Sequence, residues 1–270
     1  MRRMLRVIED IQTYVSSAFK KHHFEFGELY INANNIVYVI DNEYQKCFNN
    51  AKQYIENFEY ANVNMANQIG QFLPKIIKTF EVEDKSVMIL EKNTDLILLQ
   101  DAVTYYGGRM DSKAVAWILS SLYNIVCYFN YAKISHKDIS LSTYFISPKS
   151  HNGVLLGGWW YANKLCEKID VVPSRTFNFL SIDVKKNKMS VPAIDLDLIK
   201  ALGRECLGDL KGDNLIEMKA APEPMINWLR ACSNGHAADD YAHWRNTIIK
   251  ASFGGQFFTP MNLETSEIYN

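Results

Sequence analysis

The sequence predicts an α+β protein with two unequal halves, a small β-rich half followed by a larger helical half. Short alternating runs of aromatic and β-branched residues, which are typical of strands, cluster in the first third of the chain. Longer runs with apolar residues at helical spacing follow them. Because strands and helices are segregated along the chain, an α+β fold is favoured over an alternating α/β fold.

The first half is predicted to contain two helices and four strands. Apolar residues at helical spacing, from Leu5 to Phe19, predict a helix over 4–20. A polar run without Gly or Pro predicts a second helix over 43–69, which Gly70 and Pro74 end. The predicted strands are 24–31, 36–41, 75–82 and 86–92.

The second half contains the clearest helical pattern of the chain. Val115, Ile118 and Leu122 recur at helical spacing within 112–132, and Asp111 is a suitable N-cap residue. Further elements are predicted from pattern and turn residues. They are a hairpin of 144–147 with 153–160, a strand at 177–184, and helices at 194–206, 222–233 and 237–251.

The polar segment after this helix reads H-K-D-I-S-L-S-T over residues 136–143. It resembles the protein-kinase catalytic loop, H-R-D-L-x-x-x-N. His136, Asp138 and Ile139 match that pattern, and Lys137 replaces its arginine. The long helix before the segment and the hairpin after it occupy the places that a kinase gives to its central helix and to the strands around its metal-binding motif. An H-K-D triplet alone is weak evidence of a kinase-like loop, but its position between this helix and this hairpin strengthens the resemblance.

The tail of the chain adds to this resemblance. The run A-I-D-L-D-L-I-K-A-L-G-R-E-C resembles the kinase helix that opens with a buried aspartate, here Asp195. More narrowly, the chain resembles compact kinase-like proteins of tailed bacteriophages, through H-K-D-I-S-L-S, F-I-S-P, the Trp-Trp-Tyr run and the F-F-T-P-M tail at 257–261. The resemblance implies a two-lobed protein-kinase-like fold with a small β-rich N-lobe and a helical C-lobe. The implied divisions are an N-terminal helix at 1–23, an N-lobe at 24–95, a C-lobe at 96–253 and a tail at 254–270.

A working kinase needs metal ions, a lysine and a catalytic aspartate around ATP. Asp138 stands at the place of the catalytic base, although it could instead cap the loop by accepting backbone N–H groups. Thr143 stands where the pattern has a metal-binding asparagine, and a threonine hydroxyl is a weaker ligand. Gly158 falls at the main metal-binding aspartate, with Trp159 and Trp160 after it.

The substitution at Gly158 is the strongest argument against catalysis. Glycine has no side chain to coordinate a cation, and no acidic residue lies between Asp138 and Glu167 to take its place. The two tryptophans are predicted to fill the cleft where phosphate and magnesium would otherwise bind.

Two parts of the nucleotide site are also missing. The candidate third strand, 35–41, contains no lysine, and a glycine-rich phosphate loop is absent. If the third strand lay at 43–50 instead, Lys46 would become the candidate lysine. Glu59 could be the helix glutamate that pairs with such a lysine, but without a partner it is a solvated residue.

The resemblance therefore implies a pseudokinase that acts as a protein-binding or scaffold module, with a host or phage protein as its partner. No cofactor is expected. The alternative is a divergent serine/threonine kinase or nucleotidyl transferase that uses ATP and magnesium. In it Asp138 is the base, Thr143 binds metal, and Glu167 or Asp170 supplies a carboxylate.

Composition excludes other classes of function. The net charge of −1 gives no basis for bulk capture of nucleic acid, and no run approaches the roughly 18–20 apolar residues of a membrane span. His22, His23 and His136 lack acidic or cysteine partners at metal-site spacing, so no metal is predicted. The five scattered cysteines suggest reduced thiols and a cytoplasmic protein, in the host cell if a phage encodes it.

Overall fold

The computed structural model describes residues 13–255 and 261–269. The N-terminal part of the chain forms a five-stranded antiparallel sheet in the order β1-β2-β3-β5-β4. Its strands are β1 (Lys20–Phe24), β2 (Gly27–Ile31), β3 (Asn35–Asp41), β4 (Ile76–Val82) and β5 (Lys85–Glu91). The predicted α+β class and the β-rich first half are confirmed.

The first strand corrects the prediction of a helix over 4–20. Residues 1–12 lie outside the described part of the chain; residues 13–16 are helical, but Lys20 already begins β1. Half-buried His22 and Phe24 alternate with exposed Lys21 and His23, which is the period of a strand. Pairing with β2 therefore overrides the helical spacing at the end of this segment.

The helix predicted over 43–69 is two helices, α1 (Gln45–Glu56) and α2 (Val63–Ile69). The side chain of Asn62 accepts the backbone N–H of Met65 at 2.9 Å and so begins α2. This N-cap satisfies a helix end that a continuous helix would not have.

The C-terminal part is helical, with small strands among its helices. The order is β6 (Ile97–Leu98), α3 (Leu99–Tyr105), α4 (Ser112–Tyr131), β7 (Ile134–Ser135), β8 (Tyr144–Ser147), β9 (Asn152–Leu155), β10 (Asn163–Lys164), α5 (Ser174–Phe179), α6 (Ile182–Asn187), α7 (Ala193–Cys206), α8 (Glu223–Arg230), α9 (Ala237–His243) and α10 (Ile249–Phe253). A π-helical segment, Trp244–Ile248, joins the last two helices. The arrangement of sheet and helices is compatible with two lobes.

The long helix α4 is the centre of the helical part. Val115, Ile118 and Leu122 are all fully buried, as their spacing predicts. The Asp111 side chain accepts the N–H of Lys113 at 2.8 Å, which confirms the predicted N-cap.

The strand predicted at 177–184 is wrong, because α5 and α6 cover most of this segment. Ser181 begins α6 by accepting the N–H of Val184 at 3.2 Å. The apolar side chains of Phe177 and Ile182 are exposed, so the sequence pattern there does not mark a buried strand face.

The described part of the tail packs at the junction of sheet and helices. The hydroxyl of Tyr269 donates to Asp101 and accepts the N–H of Leu98, both at 2.9 Å. Lys20 from β1 forms an ion pair with the same Asp101 at 2.7 Å, and His22 lies 3.2 Å from it. One buried carboxylate therefore joins the first strand, the junction and the tail, although residues 257–260 of the F-F-T-P-M run lie outside the described residues.

Candidate functional site

The loop 136–143 is held in place from beneath by a buried carboxylate. Asp195, in the first turn of α7, accepts the backbone N–H groups of His136 at 2.8 Å and Lys137 at 2.7 Å. Burial raises the pKa of Asp195 to about 6, and the two amide donors partly offset that rise. The prediction of a buried aspartate at this position is confirmed.

The Lys137 ammonium is buried, so it is not exposed on the surface of the loop. Its backbone is left-handed (φ 65°), its carbonyl accepts the Thr176 hydroxyl at 2.7 Å, and its side chain is buried. Burial lowers the pKa of the Lys137 ammonium to about 8, while Asp195 and Asp170 favour its charged form.

His136 fills space in the core. Its ring stacks on Phe129 and meets Trp159 edge-on, with centroid distances of 5.9 and 5.1 Å. Its Nδ1 accepts the backbone N–H of Asp138 at 3.3 Å. Complete burial lowers the pKa of the imidazole to about 3, so His136 is neutral at physiological pH.

Asp138 is the half-buried acidic group at the centre of the loop. Its side chain lines a cavity of about 200 Å³. Burial raises the pKa of the Asp138 carboxyl to about 7; Arg175 and Ser140 favour the carboxylate, and Glu25 opposes it. Arg175 itself is committed elsewhere, since it ion-pairs with Glu205 at 2.5 Å.

Thr143 closes the loop by hydrogen bonding. Its hydroxyl donates to the carbonyl of Asp138 at 2.7 Å and accepts the N–H of Ser140 at 3.0 Å. The side chain is buried. Both directions of the hydroxyl are therefore used inside the loop, which leaves little for a metal ion.

Gly158 has no room for a side chain. Its φ is 81°, in the left-handed region, and a Cβ built there would lie 2.6 Å from Cε1 of His136 and 2.9 Å from Cβ of Asp138. The backbone of this residue thus passes directly against the loop. An aspartate at this position would strain the backbone and force His136 or Asp138 to shift.

The predicted strand 153–160 ends at Leu155, and a short 3₁₀ turn, Trp159–Tyr161, follows Gly158. Trp159 is buried in the core and its indole N–H donates to the carbonyl of Leu155 at 2.9 Å. Gly157, Gly158 and the 3₁₀ turn end the strand and lead the chain away from the hairpin. The apolar pattern of the sequence did not reveal this end of the strand.

Trp160 lies between the sheet and the helical part. Its ring meets Tyr38 of β3 edge-on at 5.0 Å and stacks near Phe24 of β1 at 5.9 Å. On the other side, the Asn50 side chain of α1 donates to the carbonyls of Trp160 and Ala162 at 3.1 and 2.8 Å. Sheet, helix and turn are thus joined around one buried indole.

The phosphate-binding lysine has no counterpart on β3. The third strand is Asn35–Asp41, and Tyr38 occupies its middle. The hypothesis of a third strand at 43–50 is wrong, because Lys46 belongs to α1, where it is exposed and pairs with Asp170 at 3.0 Å. Glu59 lies beyond the end of α1 and is exposed.

Trp160 and Tyr161 border two separate cavities. The cavity of about 200 Å³ contains Asp138, whereas a second cavity of about 580 Å³, on the α1 side, is lined by Glu167 and Asp170. The carboxylates that could have replaced the missing metal ligand therefore lie in a different cavity from Asp138. In the described ranges, no three His, Cys, Asp or Glu side chains cluster closely enough to hold a metal ion.

Sequence reasoning missed several residues that shape the Asp138 cavity. Tyr38, Glu25 and Arg175 come from three distant segments, and none belongs to a recognisable motif. The Tyr161 hydroxyl hydrogen-bonds to Glu25, which joins the turn between β1 and β2 to the segment after Gly158. No local signal in the sequence could have placed these groups together.

Comparison with known proteins adds no family assignment. No protein-family model matches the chain, and no curated protein is significantly similar to it. Over the part of the chain that the structure covers, no helix has the length and apolar character needed to cross a membrane. All five cysteines are free thiols, but only Cys206 is buried, so the expectation that most of them are buried is wrong.

Proposed function

We propose that the chain is a pseudokinase, a kinase-like protein without phosphoryl-transfer activity that acts by binding a partner protein. The observation that carries this proposal is the close contact of Gly158 with His136 and Asp138. It removes both the metal-binding carboxylate and the space for one. Two metal ions and a lysine supply most of the charge neutralisation in phosphoryl transfer, so their loss costs several kcal/mol of transition-state stabilisation.

The frame around the loop supports a kinase-like origin. The sheet, long helix, loop, hairpin and α7 follow in the order that the resemblance implies, and Asp195 anchors the loop. These elements together determine the shape of a surface and need perform no chemistry. The function then depends on which partner that surface binds. A host or phage protein in the cytoplasm is the partner class that the phage resemblance suggests.

The space between the sheet and the helical part also argues against ATP as a ligand. Trp160, packed on Tyr38 and Phe24, fills the position between the two cavities. Neither a glycine-rich loop nor a lysine reaches this region from β1, β2 or β3. We therefore expect no binding of the triphosphate with magnesium.

One observation favours the alternative of a divergent transferase. Asp138 has a pKa near 7, which suits a general base, and it faces a cavity. Against it, Thr143 is hydrogen-bonded within the loop, and Glu167 and Asp170 line the other cavity. A transferase would need all three to rearrange.

The test is thermal unfolding of the purified chain with and without ATP, in magnesium, manganese and EDTA. A ligand at 100 times its dissociation constant stabilises the native state by about 2.7 kcal/mol, which shifts the midpoint by a few degrees. We expect no shift under any condition. A metal-dependent shift, with phosphoryl transfer that Asp138→Ala abolishes, would establish the transferase instead.

The protein-binding half of the proposal needs a separate measurement. Proteins captured from host lysate by the tagged chain would be purified and titrated against it by calorimetry. We expect a stoichiometric complex whose formation is unaffected by ATP or EDTA. Failure of every captured protein to form such a complex would contradict a role as a binding module.

A further inference from the structure

The cavity that contains Asp138 has acidic groups that form no direct ion pair within the described part of the chain. Asp138 lines its wall and Glu25 lies at its exposed rim. The basic side chains that also border it are engaged elsewhere. Arg175 pairs with Glu205 at 2.5 Å, and His22 lies 3.2 Å from Asp101.

The remaining basic group at the cavity, His23, is largely exposed and lies 3.8 Å from Glu28. Among the described residues, no Lys, Arg or His forms an ion pair with Asp138 or Glu25 within 4.0 Å. The Tyr161 hydroxyl is a neutral partner for Glu25. Arg175 favours the Asp138 carboxylate but forms no ion pair with it. A cation that contacts a half-buried carboxylate directly is attracted strongly, because little water screens the charge.

Aromatic residues line the cavity, and one of them carries a buried hydroxyl without a hydrogen-bond partner among the described residues. Phe24, Tyr38, Trp160 and Tyr161 all line it. Tyr38 is 2% exposed, and its hydroxyl has no hydrogen-bond partner within the described chain. A buried hydroxyl without a partner is costly, so this group points to a polar ligand atom in the cavity.

Aromatic faces, a carboxylate and a free hydroxyl are complementary to one kind of ligand. Ring faces attract cations and also pack against methylene groups. The carboxylate neutralises the charge, and the hydroxyl can accept an N–H. An alkylammonium group on a short aliphatic stem satisfies all three, whereas an anion would meet Asp138 and Glu25.

We propose that the Asp138 cavity binds a cationic side chain, with lysine as the best match, from the partner protein. This inference rests on the proposed function, since it names the chemistry by which the partner is recognised. Two carboxylates, one of them at the rim, suit a single lysine better than a free polyamine, whose several charges need several acids. The volume of about 200 Å³ accommodates a side chain and not a folded segment.

The experiment follows the indole N–H signal of Trp160 by NMR, assigned through Trp160→Phe. N-acetyl-lysine methylamide is the probe, its neutral isostere N-acetyl-norleucine methylamide is the control ligand, and spermidine represents a free polyamine. We expect saturable shifts with the lysine derivative and weaker effects from the other two. Equal response to norleucine, or a preference for spermidine, would overturn the proposal.

Variants locate the binding in this cavity. Asp138→Asn should weaken binding of the lysine derivative about tenfold, because a charge-assisted hydrogen bond is lost. Glu25→Gln tests the same charge at an exposed position where folding is not at risk, and should weaken it about threefold. The matched control is Asp170→Asn, which removes a carboxylate on the other side of Trp160 and should leave the affinity unchanged.

Unchanged affinity in both Asp138→Asn and Glu25→Gln would overturn the assignment. The outcome is separable from that of the proposed function. A thermal shift with ATP and metal would overturn the pseudokinase itself, whatever the lysine probe does. No shift with ATP and no binding of the probe would overturn the lysine site alone.

Discussion

The loop 136–143 and the segment 157–162 meet at Gly158 and differ in the side chains that hold them in place. The loop is held by hydrogen bonds from outside, with Asp195 and Thr176 binding its backbone. The segment is packed through the aromatic rings of Trp159 and Trp160, and the Asn50 side chain also donates to two of its carbonyls. The polar frame that positions Asp138 therefore lies beside a segment that contains no charged side chain. A well-ordered loop is therefore no evidence, on this comparison, that charged groups for chemistry lie beside it.

The largest expected effect comes from removing the anchor of the loop. Asp195→Ala leaves two buried N–H groups unpaired, and each such group costs about 1–3 kcal/mol. We expect the free energy of unfolding to fall by about 4 kcal/mol, measured by urea denaturation.

The control is on the same helix. Asp197 accepts a single N–H, that of Ser233 at 2.8 Å, and is less buried. Asp197→Ala should cost about 1 kcal/mol. Equal losses in the two variants would show that the loop does not depend on its anchor.

The second-largest effect concerns Gly158, which contacts the loop from the segment 157–162. Gly158→Asp would place an acidic residue where the kinase pattern has its metal-binding aspartate. Its Cβ would collide with His136 and Asp138, and a φ of 81° is unfavourable for aspartate. We expect a loss of about 3 kcal/mol and no magnesium binding, measured by thermal unfolding with and without the metal.

Gly108 supplies the matched control, since its φ is 87° and nothing lies within 4 Å of a built Cβ. Gly108→Asp should cost about 1 kcal/mol, the price of the left-handed backbone alone. If Gly158→Asp were as stable as Gly108→Asp, or bound magnesium, the crowding at Gly158 would not be what prevents a metal site.

The smallest effect concerns Asp138, where loop and cavity meet. Its pKa is about 7 in the folded protein and about 3.9 in an unfolded chain, so folding disfavours the carboxylate. The resulting destabilisation is complete above pH 7 and disappears as the pH falls towards 4. Asp138→Asn should therefore stabilise the protein at pH 8 by about 2 kcal/mol, allowing for partial exposure, and have little effect near pH 4.

Denaturation of both proteins at intervals from pH 4 to pH 8 measures this difference. Asp170→Asn is the control, because Lys46 lowers the pKa of Asp170 and its removal should give no gain at pH 8. A variant Asp138→Asn that is less stable than the original protein at pH 8 would mean that the carboxylate has a favourable partner in the fold.

The sequence by itself determined the parts of this protein that depend on local geometry. The spacing of Val115, Ile118 and Leu122 fixed the buried face of α4, because 3.6 residues make one helical turn. The buried Asp195 was implied by the resemblance of its segment to a kinase helix, and not by local geometry. The sequence also shows that β3 contains no lysine and that position 158 has no acidic side chain, both of which the kinase pattern has. The residue type at a position needs no structure to be known.

Boundaries and switches between element types were less predictable. The alternation that suggested a strand at 177–184 belongs to two short helices, and the run 43–69 contains a break that Asn62 caps. Short apolar patterns are compatible with either structure, and hydrogen bonds at their ends decide between them.

Only the tertiary structure decided what surrounds Asp138. Trp160 borders two cavities, Glu205 pairs with Arg175, and Tyr38, whose hydroxyl has no partner among the described residues, lines one of the cavities. These groups come from segments far apart in the chain, and their meeting depends on how sheet and helices pack. Periodicity along a sequence specifies which face of an element is buried, but the partner of that face is set by the packing of the whole molecule.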